Sequence, residues 1–395
     1  MTGNTHVVVI GGGYAGIMAA NRLTQRDDVT VTLINPRPSF VERIRLHQLV
    51  GGTDDAVVEY GDLLAEGIRL VVDTVTLIDA AARTVRPAAG EPLGYDYLVY
   101  AVGSGSAGPS VPGAAEFAYP AASLEQAQRL RSVLDATPET ALVTVVGGGP
   151  LGIETAAELA ELGRTVTLVC GGQLGPYLHP WGRRSVAKGL SKLGVTVIDG
   201  PGANVTTVKR DAVQLSDGRE LPSRVTIWTA GFGVPDLAVR SGLRTDALGR
   251  LLTDETLTSV DDDHIVAAGD SAAPSGLPLR MSCQAALPLG SHAADTVLSR
   301  IAGQQPANFS KGIAAMCVSL GRRAGVFQLA HRDDTAMWLH LTGRLGAKVK
   351  EAACKSPITQ LADEARKPGS HTWPVKDAKR QQRLQAKHGG ALAPR

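Results

Sequence analysis

Residues 6–35 read HVVVIGGGYAGIMAANRLTQRDDVTVTLIN, and residues 142–170 read LVTVVGGGPLGIETAAELAELGRTVTLVC. The two stretches are one pattern used twice. A β-branched run, 7–10 or 143–146, leads into three glycines, a stretch rich in Ala, Leu and Glu follows, and a second β-branched run closes the unit. Strands without polar alternation are covered on both faces, as parallel strands are, and the residues between them favour helix. Each stretch therefore predicts a strand–helix–strand unit, and the pair predicts two doubly wound domains.

Gly11, Gly13 and Gly16 stand at G-x-G-x-x-G spacing between strand and helix, and Gly147, Gly149 and Gly152 repeat the spacing. The first glycine of each set permits a tight turn. The second removes a Cβ that would obstruct a pyrophosphate, and the third lets the helix pack closely, while the helix N-terminus offers unpaired N–H groups to an anion. Tyr14 and Ala15, with Pro150 and Leu151, open the two helices and count with the glycines as candidate binding positions. One such motif is weak evidence; two in matching context are strong. A carboxylate is expected at the end of the second strand for an adenosine ribose. Asn35 and Cys170 stand there instead. Asn35 can still bond a 2′-hydroxyl, and neither residue repels a 2′-phosphate. The downstream pair Arg183-Arg184 reads equally well as a solvated helix face.

The duplication runs further. Each unit is followed by short β-rich segments (68–99 and 195–228) and a strand ending in glycine, 97–103 and 225–231, which makes Gly103 and Gly231 candidates as well. Asp217-Gly218 marks a hairpin in the second copy. After Gly249 come a strand over 264–268, then Gly269-Asp270, then a helix to Ile301. The expected architecture is α/β: two Rossmann-like, three-layer dinucleotide-binding domains plus a small C-terminal region. The expected segments are 1–108 and 245–310 for the first domain, 109–244 for the second, 311–375 for a C-terminal region and 376–395 for a tail.

The chain has 395 residues, 44% apolar and 20% charged, with a formal net charge of +2 and 4% aromatics. That composition fits a globular chain, and it suits neither bulk disorder nor specific nucleic-acid binding. The four cysteines form no C-x-x-C pair and no zinc spacing, so no metal is expected and a reduced, cytoplasmic chain fits. No apolar run spans a bilayer, and the N-terminus lacks a cleavage-site pattern. Charge is uneven: residues 344–395 carry 12 Lys and Arg against 4 Asp and Glu. Met337, Leu341, Leu345, Val349 and Ala352 recur at helical spacing, predicting a basic amphipathic helix from 337 that packs on its own domain or lies on an anionic membrane face. Residues 376–395 read as a frayed, solvated tail.

The two units, the strand-to-glycine segments and Gly269-Asp270 together resemble the two-dinucleotide-binding-domain flavoproteins, the pyridine nucleotide-disulfide oxidoreductase superfamily. GGGPLGIE at 147–154, MSCQAALPLGSHAAD at 281–295 and VSLGRRAG at 318–325 are most similar to type II NADH dehydrogenases. The resemblance implies FAD on the first unit, with Gly11, Gly13 and Gly16 at its pyrophosphate, Asn35 near its ribose and Asp270 at its ribityl-pyrophosphate region. It implies NADH or NADPH on the second, with Glu154 near the nicotinamide as the one catalytic-shell residue. Read alone, Glu154 is also an ordinary carboxylate near a helix N-terminus with Pro150 at the first helical position.

The chain departs from the disulfide reductases, because no cysteine precedes Cys170 and no redox pair is present. His47 reads as a structural histidine. Where quinone-reducing relatives show A-Q-x-A-x-Q, this chain has Gln284 but then Pro288, and Pro disturbs helix bonding. The reading is hydride transfer from NAD(P)H to FAD and onward to an acceptor, a quinone, with N–H groups opening the helix near Gln284 steadying negative charge. Two alternatives are an NAD(P)H-binding redox sensor whose basic tail contacts a partner, and a sulfide:quinone reductase-like enzyme, which would need the scattered thiols gathered at the flavin. A homodimer is left open.

Overall fold

The computed structural model describes residues 4–108 and 110–390. In chain order the first unit comprises β1 (Thr5–Ile10), α1 (Tyr14–Leu23), β2 (Val29–Asn35), α2 (Leu46–Gly51), β3 (Arg69–Val72) and, after a meander over 75–94, β4 (Tyr97–Tyr100). The second comprises β5 (Ala118–Pro120), β6 (Val143–Val146), α3 (Pro150–Glu161), β7 (Val166–Val169), α4 (Pro180–Lys192), β8 (Thr196–Ile198) and β9 (Val225–Trp228). The chain then returns through β10 (Ile265–Ala267) and α5 (Cys283–Ile301) to the first unit.

The first sheet has the parallel order β10-β4-β1-β2-β3 and the second the parallel order β5-β9-β6-β7-β8. The repeat in sequence is thus a repeat in topology, with β1 and β6 at the centre of their sheets. Val7, Val8 and Val9 are wholly buried, as are Val145 and Leu168, which is why those runs show no polar alternation. On α1, Ile17, Met18 and Leu23 are fully enclosed, each contributing on the order of 1.5–3 kcal/mol by burial. Helix α5 lies against α1 so closely that a Cβ on Gly290 would stand 2.3 Å from the Ala15 carbonyl oxygen. The segment that closes the first domain is therefore locked to the helix that opens it.

Beyond α5 come an antiparallel sheet, β11 (Ala315–Leu320), β12 (Ala324–Ala330) and β13 (Ala336–Thr342), and two helices, α6 (Gly343–Arg366) and α7 (Arg380–Gly390). Two expectations are corrected here. The predicted helix from Met337 is a strand up to Thr342, paired with β12 through Phe327 with Leu341 and Gln328 with His340. Gly343, with φ +64°, turns the chain, and the helix starts there. Cross-strand pairing overrides the helical spacing of Met337 and Leu341. The helix then buries Gly346, Lys350, Cys354, Pro357 and Leu361 rather than the predicted stripe, and leaves Leu345 and Ala352 exposed. The cause is steric: Gly346 crosses Gly325 so tightly that a Cβ would meet its carbonyl oxygen at 2.2 Å.

The expected frayed tail is the second correction. Arg380 and Asp377 are buried, and 380–390 is helical; residues 391–395 of that tail lie outside the described residues.

Candidate functional site

Both glycine turns have the geometry their spacing predicts. Gly11 has φ +102° and Gly147 φ +130°, a region that disfavours any side chain. A Cβ on Gly16 would stand 1.8 Å from the Gly11 oxygen, and one on Gly152 1.9 Å from the Gly147 oxygen. In front of Gly13 and Gly149, by contrast, a Cβ would meet nothing within 4 Å. Those two positions face open space beside the N-termini of α1 and α3, and neither helix has a side-chain cap or an acidic residue in its first turn. Uncapped first-turn amides facing open space suit a pyrophosphate in both domains. Tyr14, Ala15 and Gly16 open α1; Pro150, Leu151 and Gly152 open α3, with Pro150 at the first position.

The structure adds partners that sequence reasoning missed. Asn35 accepts a hydrogen bond from the Gly12 amide through Oδ1 at 3.0 Å and donates through Nδ2 to the Arg37 carbonyl. Tyr60 Oη donates to the Gly12 carbonyl at 2.9 Å. Asn35 thus steadies the turn itself, and the middle glycine is as constrained as its neighbours, since a Cβ there would stand 2.0 Å from Tyr60 Oη. In the second domain Gly175 N–H donates to the Gly148 carbonyl at 2.9 Å, so the loop after β7 takes that role. Burial and the Asp199 carboxylate push the Cys170 thiol at the end of β7 up to about 12.

Across the first cleft Gly269, with φ +70°, packs on Ala15, where a Cβ would meet the Ala15 Cβ at 2.9 Å. Asp270 accepts from Ser104 Oγ at 2.7 Å, and Arg43 Nη1 reaches Ser104 Oγ at 3.0 Å and Asp270 at 3.7 Å. Gly103, φ +69°, immediately precedes Ser104 and has open space before it. Gly231, φ +82°, holds the matching place after β9 and approaches Ala107. The structure therefore brings Gly11, Gly13, Gly16, Gly103, Gly269 and Asp270 to one end of the first sheet, where strand carboxyl ends meet helix N-termini. Gln284 lies in the first turn of α5, its Oε1 accepting from the Ala314 amide at 2.8 Å. The helix continues through Pro288, whose missing N–H leaves the Gln284 carbonyl without its helical donor.

Glu154, the fifth residue of α3, is enclosed in a polar cluster. Its Oε1 accepts from Lys350 Nζ at 2.9 Å and from the Ser319 amide at 3.0 Å, and its Oε2 stands 3.6 Å from His47 Nδ1. His47 Nε2 is 3.2 Å from Ser319 Oγ. Burial alone would raise the Glu154 carboxyl, but the Lys350 charge and the Ser319 amide outweigh it and hold the carboxyl below its usual range. Burial works against the Lys350 charge, and Glu154 overcomes it, raising the ammonium well above the ordinary lysine value. Burial pushes His47 down to about 4, so its ring is neutral at pH 7. His47 faces the candidate catalytic carboxylate. Lys350 is the residue the sequence hid, because its place on a basic helix read as solvated charge.

Three of the four thiols gather here, although they are widely spaced in the chain. Cys283 opens α5, Cys317 lies on β11 and Cys354 on α6, and each feels the Lys350 charge. Burial pushes Cys283 up to about 12 and Cys354 up to about 11, and raises Cys317. Protonated thiols are poor nucleophiles. Tyr14, opening α1, lies within the same electrostatic neighbourhood as Cys283. Glu154 brings α3 to this cluster, Lys350 brings α6 and Ser319 brings β11. Among the described residues no three His, Cys, Asp or Glu side chains gather as metal ligands.

The family described as pyridine nucleotide-disulphide oxidoreductase matches residues 5–293. An NADH dehydrogenase-like protein of Mycobacterium tuberculosis is 32% identical over 333 residues, 76% of this chain and 82% of that one. A type II NADH:quinone oxidoreductase of the same organism is 28% identical over 407 residues, covering 87% of this chain and 85% of its own length. Among solved structures, NDH2 from Plasmodium falciparum in complex with NADH superposes with a TM-score of 0.75 at 16% identity, over 93% of this chain and 99% of that one. The sulfide:quinone oxidoreductase from Aquifex aeolicus gives 0.75 at 21%, over 91% and 92%.

Proposed function

Because the chain belongs to the pyridine nucleotide-disulphide oxidoreductase family, we propose that it is a type II NADH dehydrogenase-like enzyme that oxidises NADH on FAD and reduces a quinone. Two observations support this reading: each glycine turn has open space before its second glycine, and the helix that follows the second turn carries Glu154 in a buried pair with Lys350. FAD, when bound, supplies the chemistry: it accepts hydride from NADH and returns the electrons to the acceptor. The protein would hold it through the α1 amides, Gly11, Gly13, Gly16, Gly103, Asn35 and Asp270. NADH would lie on Gly147, Gly149, Gly152 and the amides opening α3, with Gly231 beside it.

Lys350 keeps its proton because Glu154 faces it, so it is a fixed cation and a weak proton donor. Its role in this reading is to stabilise negative charge that develops nearby, together with amides opening α5 near Gln284. Glu154 positions Lys350, and the Ser319 amide positions Glu154. Burial raises all three thiols near Lys350, so they rest protonated and are poor nucleophiles.

Peripheral membrane contact belongs to the same proposal. Among the described residues no helix is long and apolar enough to cross a membrane. Trp181 and Trp338 are more than half exposed, with ring centroids 6.4 Å apart, and Leu341 and Leu345 are exposed as well. Exposed Arg184 and Lys188 lie with Trp181 on α4, and exposed Arg344 and Lys348 lie with Leu345 on α6. Aromatic and aliphatic side chains among cations suit an anionic bilayer surface, where a quinone is dissolved. The test of the activity is steady-state NADH oxidation with a panel of soluble quinones, ferricyanide and oxygen. Quinone-dependent turnover well above the oxygen rate is expected; reduction by NADH without reoxidation by any quinone would instead favour a redox sensor.

A further inference from the structure

Arg380 lies in the segment expected to be a solvated tail, yet it is 1% exposed. Its guanidinium makes a bidentate pair with Glu255 at 2.7 and 2.9 Å. The same Nη2 donates to the carbonyls of Leu277 at 3.0 Å and Pro274 at 3.3 Å, and the group stands 5.6 Å from the Phe309 ring centroid. The approach to Arg380 is pinned too. Trp373 Nε1 donates to the Gly312 carbonyl, the Gly312 amide to Val375, and the Asp377 amide to Ser310. The chain is held along its length from 373 to 384, where Leu384 is buried.

What it holds is the segment that joins two parts of the candidate flavin site. Residues 274–282 begin four residues after Asp270 and end at Ser282, the cap of α5, next to Cys283 and Gln284. The segment is not relaxed on its own: Ser275 has φ +48° and Gly276 φ +62°, a region that a serine adopts only when its surroundings impose it. At its far end Arg280 makes a bidentate pair with Asp334 at 2.6 and 2.8 Å. Two arginines therefore fix the path between Asp270 and the α5 N-terminus, and one of them is supplied by the tail. An apolar side chain could have anchored the tail without burying a charge. A guanidinium adds what an apolar side chain lacks, donors aimed at the carbonyls of this particular loop.

Resting on the FAD reading above, we infer that the C-terminal segment is a strap that retains the flavin, with Arg380 as a positioning residue for the loop between Asp270 and α5. The test uses the full-length protein loaded with FAD. Arg380→Met removes both the pair and the loop contacts. Arg380→Met combined with Glu255→Met removes the pair without leaving a bare buried carboxylate, which protects the test against simple misfolding. The expected result is an FAD dissociation constant raised by about tenfold or more in both variants, a changed visible circular dichroism of bound flavin, and an unchanged KM for NADH in FAD-saturated protein. Arg380→Lys should recover part of the affinity. A folded double variant that holds FAD with wild-type affinity and spectrum would overturn the inference while leaving the FAD reading intact. Failure of the wild-type protein itself to take up FAD would remove the function proposed above, and the strap with it.

Discussion

Lys350 Nζ stands 2.9 Å from Glu154 Oε1, and both side chains are about nine-tenths enclosed. One comes from the helix that opens the second dinucleotide unit and the other from the C-terminal helix, so the pair ties the two regions together at a charged contact. Breaking such a pair from one side leaves a buried, uncompensated charge. Lys350→Met should cost roughly 3–5 kcal/mol of unfolding free energy in urea titrations, and Lys350→Met with Glu154→Leu much less. In stopped flow, Glu154→Gln should slow flavin reduction or reoxidation by quinone; unchanged rates in both half-reactions would remove Glu154 from the mechanism.

His47 sets a pH dependence of stability. Its ring is depressed to about 4 in the fold against an ordinary 6.5, so between those values the unfolded chain binds the extra proton and stability rises with pH. The loss on acidification across that window amounts to roughly 3 kcal/mol. Glu154 acts lower: its depressed carboxyl contributes stability above its ordinary 4.5, lost only as pH falls through the folded value. His47→Gln should flatten the curve between about pH 4 and 6.5, measured by chemical denaturation. An identical slope in the variant would contradict this assignment.

The two classes of glycine in each turn should behave differently. Gly13→Ala adds a methyl where nothing stands within 4 Å, so the apoprotein should fold as before and lose FAD affinity. Gly149→Ala should leave FAD bound and raise the KM for NADH. Gly16→Ala and Gly152→Ala drive a methyl to within 2 Å of a backbone oxygen and should lower the melting temperature of the apoprotein outright. Calorimetry and flavin fluorescence separate these outcomes.

The outer face of the C-terminal region should bind bilayers. Trp338→Ser and Leu345→Glu should weaken cosedimentation with vesicles containing anionic lipid while leaving turnover with soluble quinone near wild type. Raising salt should weaken the wild-type interaction as well. Equal binding by both variants and wild type would remove this surface from the proposal.

Legibility in the sequence followed the range of the forces involved. The β-branched runs and the G-x-G-x-x-G spacings are local, and they announced both strand–helix–strand units and both turns, whereas the place of Gly269-Asp270 beside the first unit came from the family resemblance. The strand over 336–342 was hidden because Met337 and Leu341 also fit a helical stripe, and only pairing with β12 decides between them. Lys350, Cys283, Cys317 and Cys354 come together from separate elements, which no spacing in one segment records. Asn35 was found, but its engagement with the Gly12 amide depends on Tyr60 and the turn closing together. Arg380 was read as solvated because a basic tail usually is, and nothing local announces its partner Glu255.

The central claim is that the first cradle holds FAD and the second presents NADH to it. Anaerobic titration of FAD-loaded, full-length protein with NADH tests it most directly. One tightly bound FAD per chain is expected, bleached by about one equivalent of NADH and recoloured on adding a quinone. A folded preparation that takes up no FAD, or whose bound flavin stays oxidised in excess NADH, would contradict it.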